Sequence, residues 1–105
     1  MLTVIIKYTG KDNNPKKFME EMINTGIVDA IRKEKGNIRY EYFLPIDDNS
    51  VILIDSWENQ EALDIHHHLP LMKTISDLRS KYDLHMEVDK YISIEDDKDK
   101  KYIRK

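Results

Sequence analysis

The apolar residues of this chain change their spacing along its length, and the changes mark out its elements. Leu2, Val4, Ile5 and Ile6 form an apolar, β-branched run that reaches Tyr8 before Gly10 and the polar turn Lys11-Asp12-Asn13-Asn14. Such a run predicts a strand. Pro15 suits the first turn of a helix, with Asn14 as its N-cap. From Phe18 the apolar positions recur as Phe18, Met22, Ile23, Ile27, Ala30 and Ile31, the spacing of one helical face. Asn24-Thr25-Gly26 interrupts that face, so a kink or two helical pieces are expected. Lys33, Lys35 and Gly36 close it with a basic last turn and a C-cap glycine.

Alternation follows. Ile38, Tyr40, Tyr42 and Leu44 share one face of a predicted strand, and Arg39, Glu41 and Phe43 the other. The turn Pro45 to Ser50 joins it to Val51–Trp57, so the two should form an antiparallel hairpin. On that second strand Val51, Leu53, Asp55 and Trp57 point one way, and Ile52, Ile54 and Ser56 the other. Both faces are largely apolar, which calls for cover on both sides of the sheet. Asn59 then caps a helix to about His68, with Ala62, Ile65, His66 and Leu69 on one face. Pro70 breaks it, and Leu71, Ile75, Leu78 and Tyr82 mark a second short helix. Leu84, Met86, Val88, Ile92 and Ile94 keep one phase of a last strand, interrupted by Lys90.

The order strand, helix, strand, strand, helix, strand is the α+β, ferredoxin-like βαββαβ plan, an antiparallel sheet with helices on one face. A second copy of the same sheet is the simplest cover for the other face, which predicts a homodimer. Residues 1–94 are expected to make the domain and 95–105 a charged tail, nine of whose eleven residues are Asp, Glu, Lys or Arg. The tail is expected to be mobile unless Tyr102 and Ile103 dock on a partner.

Composition narrows the functional classes. At 105 residues with a formal net charge of −3, the chain has no general attraction for nucleic acid or anionic membranes. The absence of cysteine excludes disulfides, thiolate catalysis and cysteine-ligated metal. The first residues hold too short an apolar run for a signal peptide, and no stretch approaches the roughly 20 apolar residues of a membrane span. A cytoplasmic protein is expected.

Candidate chemistry gathers between Val51 and Met72, which holds the only tryptophan, Trp57, and the consecutive histidines His66, His67 and His68. The three rings point roughly 100° apart around a helix, so they do not converge on a metal. His66 follows Ala62 by four and should turn toward the sheet, His68 should meet solvent, and a small rotation of the helix would bring His67 to the pocket rim.

Three segments together, Gly36 to Tyr40, Asp55-Ser56-Trp57 and Ala62 to His66, resemble the antibiotic biosynthesis monooxygenase domain family, which includes quinol monooxygenases and enzymes that process phosphorylated autoinducer-2. The resemblance runs over about residues 2 to 94. It implies a dimeric α+β barrel with a pocket in each subunit, and oxygenation of phenols or hydroquinones without metal or flavin. Two departures stand out. Leu71 occupies the position after Pro70 where the family often has histidine, and the first strand lacks the asparagine of the haem-degrading relatives.

The resulting expectation is a cofactor-independent monooxygenase using dioxygen on a small phenolic, hydroquinone or enol substrate. His66 is the candidate base, and Tyr40 and Trp57 supply hydrogen bonds to the anion. Tyr42, Arg39, His67 and Met72 are candidate substrate contacts. Trp57 either stacks on substrate or belongs to the core or dimer contact, and Arg39 either holds an anion or pairs with Glu41. Two rivals stay open: an isomerase of a small carbonyl metabolite using the same histidine, and a non-catalytic ligand-binding dimer.

Overall fold

The structure, a computed structural model, describes residues 1–94 and 97–104. Its elements run β1 (Leu2–Thr9), α1 (Asn14–Asn24), α2 (Ile27–Arg32), β2 (Asn37–Phe43), β3 (Val51–Trp57), α3 (Gln60–His67), α4 (Leu71–Lys81) and β4 (His85–Ile92). The strands form one antiparallel sheet in the order β2-β3-β1-β4. This is the ferredoxin-like arrangement, with the two split βαβ units interleaved and the helices on one face.

The core lies between that face and the helices. Val4, Ile6 and Tyr8 of β1 and Val51, Leu53 and Trp57 of β3 meet Phe18, Met22, Ile31, Leu63 and Ile75 from the helices, all buried. Full burial of such side chains stabilises the fold by about 1.5–3 kcal/mol each. The strand pairing sets rows across the inner face. One row runs Tyr40, Asp55, Val4, Lys90 through the four strands in spatial order. On the opposite face Ile5, Ile52 and Ile54 are only half covered and Phe43 is exposed, and none of the described α-helices lies over them.

Several local expectations are corrected. The helix before Gly36 does fall into two pieces, with Gly26 in the left-handed region between them. Asn14 is not the cap. It is the first residue of α1, and its side-chain amide donates to the Tyr82 carbonyl. Gly36 does not end a helix either; α2 stops at Arg32, and Gly36 leads straight into β2. Between Asn37 and Arg39 the β2–β3 register shifts by one residue, so Ile38 is expelled to solvent, and Leu44 lies exposed beyond the strand. On α3 the buried positions are Leu63 and His66, while Ile65 faces outward. Of the expected charged tail, Asp97–Tyr102 forms a 3-10 helix with Tyr102 and Ile103 exposed. Glu95, Asp96 and Lys105 lie outside the described residues.

Gly36 decides how α3 sits on the hairpin. Its φ is +85°, and a Cβ there would stand 2.6 Å from the Ala62 Cβ on α3. Its carbonyl accepts from the Glu58 backbone N–H at 2.8 Å. Gly26 shares the left-handed backbone, with φ +81°, but faces open space. Gly36→Ala should therefore combine backbone strain of about 1–2 kcal/mol with a steric term that displaces α3, whereas Gly26→Ala should show the strain alone. Denaturant midpoints of the two variants, compared at equal m-value, measure the difference.

Candidate active site

Between the inner sheet face and helices α3 and α4 lies a cavity of about 360 Å³. Its walls are mainly apolar, from Val4, Ile6, Leu53, Leu63, Met72 and Ile75, with Met86 and Val88 on β4. The polar lining is sparse: Tyr40, Asp55, Gln60, His66, His67, Arg79 and Lys90. A mostly apolar cleft with a few convergent polar groups is the usual form of a small-molecule site.

His66 reaches this cavity because α3 begins at a well-made cap. The Asn59 side chain accepts from Ala62 N–H at 2.9 Å, which sets the helix rotation that turns Leu63 and His66 to the sheet. The His66 ring is 3% exposed and packs on Trp57, with ring centres 4.8 Å apart. Its Nδ1 lies 2.9 and 3.0 Å from the two carboxylate oxygens of Glu34, in the loop before Gly36. A carboxylate there accepts from Nδ1–H, and Nε2 is then the nitrogen left free to take a proton.

Asp55 stands one strand from Tyr40 and is 5% exposed. Its Oδ1 is buried with no hydrogen-bond partner. Burial pushes its pKa up to about 7. The nearby Trp57 indole N–H pulls it down without reaching good hydrogen-bond geometry, Glu34 raises it further, and Arg79 opposes Glu34. The tyrosines around it are held firmly neutral. Burial raises Tyr40 well above the ordinary phenol range, with Tyr42 adding to the effect, and burial raises Tyr42 as well. Their rings meet edge-on with centres 5.9 Å apart. Arg79 donates from Nη2 to the Tyr8 hydroxyl at 3.0 Å.

The structure thus brings Tyr40, His66, His67 and Met72 to the cavity wall. Trp57 stands behind His66 as its stacking partner, and Tyr42 stands beside Tyr40. Arg39 lies on the opposite face of the sheet, where it donates to Glu41 at 2.8 Å and covers the Phe43 ring. His68 is exposed, and its Nδ1 is 2.6 Å from the Asp64 carbonyl oxygen. Three residues join the site that spacing had not singled out: Asp55, Arg79 and Glu34. The inward phase of β3 pointed to Asp55, and Arg79 follows Ile75 by four on α4. Glu34, between two lysines, carried no signal. Among the described residues no three His, Asp or Glu groups come together as a metal site, and no helix is long and apolar enough to cross a membrane.

Residues 1–78 match the antibiotic biosynthesis monooxygenase family, and the chain belongs to it. No curated protein matches the sequence. A candidate antibiotic biosynthesis monooxygenase of Deinococcus radiodurans superposes with a TM-score of 0.79 at 16% identity, over 91% of this chain and 95% of that one. SnoaB, a cofactor-independent oxygenase from Streptomyces nogalater, gives 0.74 at 14% identity, over 90% and 94%. A conserved protein from Methanosarcina mazei gives 0.73 at 23% identity, over 86% and 89%. At these identities the likeness is one of fold.

Asp55 gives the site a pH signature. Its folded pKa of about 7 lies above the ordinary value of 3.8, so between these two values the folded chain binds more protons than the unfolded one. This part of the stability is present at acid pH and is lost as pH rises through 7. Asp55→Asn should remove the loss. Relative to wild type, the variant should gain about 2–3 kcal/mol between pH 5 and pH 8, measured by urea unfolding at both.

Proposed function

We propose that this chain is a cofactor-independent monooxygenase of a small phenol, hydroquinone or enol, bound in the cavity under α3 and α4. One observation carries the reading: His66 lines a largely apolar cavity while Glu34 engages its Nδ1. An imidazole oriented by a carboxylate is suited to take a substrate hydroxyl proton at Nε2. The phenolic group of Tyr40, kept neutral by burial and flanked by Tyr42, is a donor for the resulting anion.

The electron-rich anion then passes one electron to dioxygen, and the two radicals combine into a carbon–oxygen bond. The peroxide formed takes a proton and expels water. A phenol that enters with dioxygen leaves as a quinone, one oxygen atom going to product and the other to water, with no external reductant. Apolar walls favour this chemistry because they exclude water from the anion and its radical.

A second reading is favoured by Asp55. The Asp55 carboxyl, which changes charge near pH 7, lines one cavity with the His66 imidazole, an arrangement that also suits an isomerase moving a proton between carbons of a small carbonyl compound. An oxygen electrode separates the readings. With a panel of hydroquinones, one dioxygen consumed per hydroxyquinone formed, with no hydrogen peroxide released, supports oxygenation, and turnover without oxygen uptake supports the isomerase. In whichever assay turns over, His66→Ala should cost roughly 100-fold or more in kcat. His68→Ala, with its exposed ring, should cost little. Full activity in a folded His66→Ala protein would overturn the assignment of the base.

We also propose a homodimer formed through the sheets. The half-covered Ile5, Ile52 and Ile54, with exposed Phe43, make an apolar strip on the face that the helices leave bare. Light scattering at micromolar concentration should give twice the chain mass. Phe43→Lys, which puts a charge in the strip, should shift the protein toward the monomer.

A further inference from the structure

Oxygenation of a hydroquinone takes two protons off the substrate, and one histidine cannot serve both at once. His66 takes the first, from a hydroxyl, and returns it to the terminal oxygen of the peroxide formed at the neighbouring ring carbon. Breaking the oxygen–oxygen bond then removes the hydrogen on that carbon as a proton, while the departing hydroxide needs a proton to leave as water. A base and an acid must act together at this step. His66, free again at Nε2, is the base. The acid has to be a second group on the cavity wall, protonated near neutrality and without a standing partner.

Asp55 meets each requirement. It is buried and lines the same cavity as His66, entering from the sheet where His66 enters from α3. Trp57, two residues further along the same face of β3, stacks on the His66 ring, so the two groups come from neighbouring positions. Tyr40 and Val4 flank Asp55 on the adjoining strands. Its Oδ1 has no hydrogen-bond partner among the described residues. Glu34 and Arg79 act on its charge with opposite signs, but Glu34 is bonded to His66 and Arg79 to Tyr8. A carboxyl left unbonded in the interior keeps its proton, because its charged form would lose water with nothing in exchange.

The other groups near it are poorer acids. The Tyr8, Tyr40 and Tyr42 phenols are all raised by burial. Burial lowers the pKa of His67, so that ring has no spare proton near neutrality. Lys90, on β4, donates to Gln60 at the mouth.

We propose that Asp55 is a second catalytic residue, the acid that gives its proton to the departing peroxide oxygen while His66 takes the ring proton. The role rests on the oxygenase reading of the cavity and adds the fate of the peroxide. Hydroquinone and dioxygen become hydroxyquinone and water, the ring C–H and one O–H supplying both hydrogens of the water. The electron pair of the C–H bond forms the new C=O as the O–O bond breaks. His66 ends with one proton more and Asp55 with one fewer, and exchange with water restores both. Without the acid the intermediate has another exit. Hydroperoxide is a better leaving group than hydroxide, so it departs as hydrogen peroxide and leaves the unhydroxylated quinone.

The test measures that branch in the whole protein, with whichever hydroquinone of the panel drives oxygen uptake. Hydroxyquinone and hydrogen peroxide are quantified at pH 6, 7 and 8, with the autoxidation found without protein subtracted. Asp55→Asn keeps the shape of the side chain but cannot give the proton. At pH 6 it should raise the ratio of peroxide to hydroxyquinone about 10-fold or more over wild type. The wild-type ratio should climb as pH rises to 8, since burial pushes the Asp55 pKa up to about 7, while the ratio of the variant stays flat. If Asp55→Asn does not fold, the wild-type pH course decides. Equal ratios in the two proteins at pH 6, or a wild-type ratio that does not change with pH, would overturn the role of Asp55 and leave the oxygenase reading intact. A variant whose ratio follows pH as wild type does would overturn it too, because the titrating group would then be another. No oxygen uptake by wild type with any hydroquinone would overturn the role and the oxygenase reading together.

Discussion

A bond between the buried His66 imidazole and the half-buried Glu34 carboxylate holds the cavity side of this molecule together. Glu34 sits in the loop that leaves α2, and His66 sits on α3, so their bond ties the first split βαβ unit to the second. The pair is possible only because Gly36 lets α3 approach the start of β2 with no Cβ between them. It is costly to break from one side, since the remaining group would stay buried and unpaired. Trp57 closes the back of the His66 ring, so the imidazole is fixed by a bond along its edge and a face against its plane. The cavity is the space that α3, so placed, leaves over the sheet.

Within that space burial acts in one direction on the acidic groups. It pushes Asp55 to neutrality and keeps Tyr40 and Tyr42 protonated, because in every case the charged form loses water. Arg79 stays against Tyr8 with its Nε unmatched. The site therefore has ready donors, one carboxyl able to change charge near pH 7, and an arginine held against Tyr8.

Much of this was legible in the residue pattern, for reasons that can be stated. The strand and helix order followed from changes of apolar period, and the register of His66 with Ala62 and Leu69 pointed His66, rather than His68, at the sheet. Trp57 and Asp55 fell on the inward phase of β3. What was not legible depends on contacts distant in sequence. Glu34 lies between Lys33 and Lys35, where a charged run ordinarily faces solvent, and its burial follows from a loop whose path Gly36 decides. Arg79 looks like any polar residue near a helix end until Tyr8, seventy-one positions earlier, is seen to accept its hydrogen bond. Ile38 and Leu44 kept strict alternation with Tyr40 and Tyr42, but a one-residue register shift put Ile38 outside. Alternation describes a strand, and a bulge breaks it without any change in composition.

The exposed β4 connects the fold to the chemistry. Every residue of β4 is exposed, although Met86, Val88 and Lys90 face inward and line the cavity. The helices lie over the other strands, so β4 forms a wall without a roof, and its side chains lose little freedom until something fills the cavity. That suits entry from this side: Lys90 and Gln60 meet across the mouth, and separating two exposed polar side chains costs little because water replaces the bond. The deep end is the reverse, with Tyr40, Asp55 and His66 buried and fixed before any ligand arrives. In the proposed reading, a buried reacting end and an exposed entrance would divide the work between chemistry and capture. The division follows from which strands the helices cover.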